Sequence, residues 1–131
     1  MSFSADVSGF VERAARGLNK TVSEVESQVM ALVILRSPVD TGRFRGNWQA
    51  THGAPATSEI DRNGAQAAIS DMESVVAALK GGRVTFLTNN LPYASRLEFD
   101  GWSSQAPEGM VRKTVAQFGQ IVDAAARKNQ T

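Results

Sequence analysis

The sequence predicts an α+β fold in which a long N-terminal helix and a C-terminal helix pack on a small, mainly antiparallel sheet. Three observations predict it. Apolar residues Val11, Ala15, Leu18, Val22, Val25, Val29 and Leu32 follow one another at alternating spacings of four and three, the stripe of a single helix face. Two short segments, Phe44 to Ala50 and Arg83 to Asn89, carry the alternation or the β-branched and aromatic content of strands. A second helical pattern, Met110, Val111, Val115, Phe118, Ile121, Val122 and Ala125, lies near the end of the chain. Strands separated by helices suit a parallel sheet too, but two or three short ones are too few for a doubly wound fold.

The first helix is expected from Val7 to near Arg36, because Pro38 pushes the residue before it out of the α region. Gly17 in its interior, and Thr21 with Glu24 at the spacing of a capping box, leave open whether it is one helix or two. Unbroken, it would be about 45 Å long at 1.5 Å per residue. A compact domain of this size has a radius of gyration of only about 14 Å. A continuous helix would therefore overhang its own globule and need a neighbouring subunit to cover its stripe.

After the turn Ser37 to Gly42, Phe44, Gly46, Trp48 and Ala50 alternate with Arg43, Arg45, Asn47 and Gln49, which predicts a strand with a basic outer face. His52 to Ser58 is a loop by composition. Ala65 to Lys80 reads as a helix with Ile69, Met72, Val76 and Leu79 on one side, stopped by Gly81 and Gly82. Tyr93 to Phe99 is expected to be a helical turn, and Pro107 the first residue of the last helix. Residues 127–131 are polar and expected to fray.

Composition narrows the function classes. With 131 residues, 42% hydrophobic and 21% charged, the chain is expected to form one soluble domain over 1–131. It has no cysteine, which removes disulfide scaffolds, thiolate zinc sites and cysteine nucleophiles, and suits a reducing cytoplasm. The first residues lack an apolar segment behind a basic one, so no secretory signal is expected. The longest strongly apolar run, Val29 to Leu35, falls far short of the roughly 20 residues that cross a bilayer. A net charge of +1 argues against a dedicated nucleic-acid binder.

Chemistry leaves little trace. The single histidine, His52, has no partner at metal-ligand spacing, so no metal site or cofactor is expected. Asp40-Thr41-Gly42 matches a fragment of an aspartic-protease loop, but the same residues form a turn through their own backbone bonds. Gly81-Gly82-Arg83 lacks the lysine and length of a phosphate loop. Arg43 and Arg45 are open to DNA phosphates, a neighbour's carboxylates or solvent alone. Trp48 and Trp102 read as core and interface anchors. Glu98 and Asp100 read either as acceptors for a neighbour's arginines or as solvated acids.

The order of these pieces resembles the tail-component family of lambdoid and related long-tailed bacteriophages, comprising minor tail, tail-completion and head-to-tail joining proteins. Three segments carry it. Ser37-Pro38-Val39-Asp40-Thr41-Gly42-Arg43-Phe44-Arg45 is similar to the family's element before its first strand. Asn90-Leu91-Pro92-Tyr93-Ala94 with Leu97-Glu98-Phe99 is similar to its Tyr-Ala and Glu-Phe-Gly segment. Pro107-Glu108-Gly109-Met110-Val111-Arg112 is similar to the start of its last helix. Asp100 departs from the pattern, where relatives often have glycine, and the loop Trp102 to Ala106 is short.

The resemblance implies a structural virion protein of the neck or tail, made in the host cytoplasm. It would complete the head-proximal end of the tail and join it to the head connector. Its implied partners are itself, as a hexameric ring, a tail tube or tail terminator protein, and head connector proteins, with no membrane. The expected interface residues are Arg43, Arg45, Trp48, Tyr93, Glu98, Asp100, Trp102 and Arg112. Two alternatives are a DNA-contacting module of the neck lumen using Arg43, Arg45 and Arg62, and a small hydrolase using Asp40 in a dimer.

Overall fold

The computed structural model of the chain describes residues 3–78 and 84–129, with side chains of the first helix described from Asn19 onward. That helix, α1, is unbroken over Phe3–Arg36 and contains 34 residues, about 51 Å at 1.5 Å per residue. It continues through Gly17 and Thr21, which answers the question the sequence left open. Its end lies where Pro38 predicts. There the Ser37 hydroxyl donates to the Val33 carbonyl and accepts from the Trp48 indole N–H, each near 2.8 Å. Arg45 donates to the carbonyls of Leu35 and Ser37 at 2.7 and 2.8 Å, satisfying acceptors that a helix C-terminus leaves orphaned.

The face of α1 in the core is Met30, Val33 and Ile34. The stripe read from the sequence lies beside it: Val25, Val29 and Leu32 are only half-buried, and Val22 is 39% exposed. The helix thus has two adjoining apolar faces, of which one is enclosed.

The strand expected from Phe44 begins later. Arg43–Gly46 is a single helical turn, α2, and the strand β1 is Trp48–His52. The apolar alternation at Phe44 and Gly46 is the accident of a helical turn entering a strand. Gly42, at φ 85°, reverses the chain, and its carbonyl accepts from Gly46 N at 3.0 Å, which closes a helical turn. Gly46 packs against the Arg62–Asn63 backbone so closely that any Cβ would collide with it. Arg43 and Arg45 therefore do not form the basic face of a strand.

β2, Thr85–Asn89, pairs antiparallel with β1, Trp48 opposite Asn89 and His52 opposite Thr85. Between them runs α3, Ala65–Ala77, which buries Ala68, Met72 and Val76. Leu79, Lys80, the Gly81-Gly82 stop and Arg83 lie outside the described residues. The expected helical turn is α4, Ala94–Phe99.

The last helix is two, α5 at Val111–Val115 and α6 at Phe118–Lys128. Pro107 precedes them in a turn and is not a helix start. The break at Ala116 and Gln117 changes which side faces inward. Met110, Ile121 and Ala125 are buried as expected, but Val111, Val115 and Phe118 are exposed, and Thr114 takes the inward position. Thr114 donates to the Met110 carbonyl and accepts from Arg36. Arg127 and Lys128, expected to fray, belong to α6, and Lys128 Nζ lies 3.5 Å from a Glu24 carboxylate oxygen.

Candidate assembly surface

Four aromatic rings lead from the core to the surface. Trp48 and Phe44 meet edge-on at 5.8 Å, Phe44 and Tyr93 at 5.9 Å, and Tyr93 and Trp102 at 6.3 Å. Trp48 is enclosed, at 7% exposure, whereas Trp102 is 58% exposed with the Arg96 guanidinium 5.6 Å over its ring. Phe44, Tyr93 and Trp102, but not Trp48, line a cleft of about 690 Å³ together with Pro38, Val39 and Asp40. Tyr93 and Trp102 thus share a surface, while Trp48 is a core anchor whose N–H is already satisfied.

Glu98 and Arg112 are joined to each other. One Glu98 oxygen accepts from the amides of Met110 and Val111 at 2.9 and 2.7 Å, and the other from the amide and Nε of Arg112, both at 3.1 Å. Arg112 also donates to the Glu98 carbonyl. These amides begin α5, so a carboxylate carried by α4 serves the donors that a helix start leaves open. Burial pushes the Glu98 carboxyl up, but the amides of Val111, Arg112 and Met110 and the Arg112 side chain outweigh it, holding the group below the ordinary carboxylate value. Gly109, at φ +82°, admits no Cβ beside this carboxylate. The role expected for Glu98, acceptor for a neighbour's arginine, is filled within the chain. Asp100, one residue past α4, is exposed.

The cations proposed for DNA are likewise engaged. Arg43 pairs with Glu59 at 2.8 Å. Arg45 holds the end of α1. Arg62 donates to the carbonyls of Gly46 and Trp48 at 2.7 Å and pairs with Asp71 at 3.2 Å. In the Asp40-Thr41-Gly42 segment, Thr41 accepts from the Arg43 amide and the Gly42 carbonyl accepts from Gly46 and Gly64. Its residues form a backbone turn. His52 Nε2 lies 2.8 Å from the Val75 carbonyl. Among the described residues no three His, Asp or Glu side chains gather as metal ligands, and no helix is long and apolar enough to cross a membrane.

The largely apolar cleft that the sequence set missed lies between α1 and α6. Val22, Val25 and Val29 face Phe118 and Val122 across a groove of about 480 Å³ whose lining is almost wholly apolar. Phe118 remains 48% exposed at its rim. The signal for it was present in the α1 stripe, which is longer than one short helix can cover.

No family model, curated protein or solved structure matches this chain. The reading of function therefore rests on the residues and their arrangement.

Proposed function

We propose that the chain is a structural subunit of a tailed-phage virion that completes the head-proximal end of the tail and joins it to the head connector, acting by assembly and not by catalysis. The observation that carries this reading is the second apolar face of α1. A helix of 34 residues presents Val22, Val25 and Val29 to a groove that α6 closes only in part. Exposed apolar surface of this kind, with the half-exposed Phe118 at its rim, is what a subunit keeps for its neighbours. Head-to-tail copies close into a ring when the rotation permits, and a sixfold ring suits the symmetry implied by the tail-component resemblance. The partners in this reading are further copies of the chain, the tail tube or its terminator, and head connector proteins.

Mass spectrometry of purified particles from the source phage, together with electron microscopy of particles made without the gene, tests the reading. The expected result is the protein in wild-type virions, and separated heads and tails in its absence. Virions that lack the protein and joined particles after deletion would together overturn it.

A further inference from the structure

The two-stranded sheet has unequal edges. On the β1 side, Arg62 crosses the end of the strand and donates to the Trp48 carbonyl at 2.7 Å. On the β2 side, the direction of each backbone group follows from one bond: Gly53 N donates to the Val84 carbonyl at 2.8 Å. In an antiparallel pair such bonds join every second opposed pair. Val84, Phe86 and Thr88 thus turn their main-chain groups toward β1, whereas Thr85, Leu87 and Asn89 turn theirs away. The outward N–H and C=O groups of these three residues bond to no other described residue. Beside them opens a cleft of about 310 Å³, bounded by Leu87 and Asn89, by Phe99 on α4, by Val111 on α5 and by the mutually paired Glu98 and Arg112. Phe99 is 65% exposed.

We propose that β2 is a self-pairing edge, and that a second copy of this chain adds to it antiparallel about a two-fold axis through Leu87. This contact stands apart from the virion reading, because a two-fold pair closes on itself and builds no ring. The axis sets Leu87 against its counterpart and Thr85 against Asn89 of the other copy, so every outward group meets a complementary one. In a two-fold contact each charge also meets its own kind. Thr85-Phe86-Leu87-Thr88-Asn89 carries no charge and no proline, the devices that ordinarily block edge pairing. A sheet of only two strands, each of five residues, is marginal in water, and a third or fourth strand with an apolar flank stabilises it. Strand pairing buries much less than the roughly 1,600 Å² of a standard interface, so the dimer is weak even with Phe99 and Val111 covered.

Amide hydrogen exchange measured at about 20 µM and at about 1 mM, for a dimer of Kd near about 0.1 mM, tests the pairing residue by residue. The amides of Thr85, Leu87 and Asn89 are expected to slow about fourfold at the higher concentration, with those of Phe86 and Thr88 unchanged. Thr88→Lys and Thr88→Glu place like charges near each other across the axis, on the face opposite Leu87. Each variant alone is expected to sediment as a monomer, and an equimolar mixture as a dimer. A wild-type chain still monomeric at about 1 mM, or β2 amides that all respond alike, overturns the proposal. So does a dimer that survives both Thr88 variants, which would be held by another surface such as the groove between α1 and α6.

Discussion

The two ends of the chain's α-helical layer solve opposite problems. At the junction of α4 and α5, Glu98 satisfies three amides and one arginine, so the polar groups there are closed on one another. Along α1 and α6, Val22 and Phe118 stay exposed at the rim of an apolar groove. A polar site that is closed on itself fixes shape, because each removed partner strands several others. An apolar site left half-covered costs the isolated chain little and keeps binding energy for a neighbour. Conformation is specified at the first region, and association is available at the second.

The largest effect that would test this contrast is Glu98→Ala, which strands three amides at the start of α5 and frees Arg112. A loss of about 3 kcal/mol is expected in urea unfolding, within the range for breaking a hydrogen-bonded buried charge. A loss close to that of an ordinary surface change would show that the junction is not closed as described.

Acid probes the same group without a mutation. Because the Glu98 carboxyl is held below its ordinary value when folded, the folded chain binds fewer protons there than the unfolded chain over the intervening pH range. Its contribution is therefore complete above the unfolded carboxylate pKa and disappears as pH falls through the lower folded value. Thermal melts of the wild type are expected to lose stability across that acid window, and those of Glu98→Gln to lose less. Parallel curves for the two proteins would remove Glu98 from the explanation.

The smallest effect on the isolated chain is expected at Val22→Lys, where stability should change by no more than about 0.5 kcal/mol, as at most surface positions. The same change is expected to abolish incorporation into particles in a complementation assay. Normal incorporation would separate the α1 groove from assembly.

The sequence made the architecture legible where one signal acted alone. Pro38 stops α1, and the β-branched and aromatic run read from Arg83 to Asn89 contains β2. It failed where two patterns overlapped. The alternation from Phe44 to Ala50 hid a helical turn, because Gly42 at φ 85° directs the chain into one before Trp48 begins the strand. The apolar spacing from Met110 to Ala125 hid the break at Ala116 and Gln117, which leaves Val115 and Phe118 outside. The expected surface was legible only in part. Tyr93 and Trp102 do lie together, but the bonds of Glu98, Arg62 and Arg45 join residues 10 to 14 positions apart across turns, and no helical or strand spacing announces them.

The two indoles give the molecule a pair of built-in optical probes. Trp48, buried and hydrogen-bonded to Ser37, is expected to emit as an indole in a dry setting and to shift to the red when the fold opens. Trp102 faces solvent and is open to a dissolved quencher such as iodide. Fluorescence therefore separates two events that most measurements blend: shielding of Trp102 with Trp48 unaltered marks a partner seated in the cleft beside Tyr93, and a red shift of Trp48 marks denaturation.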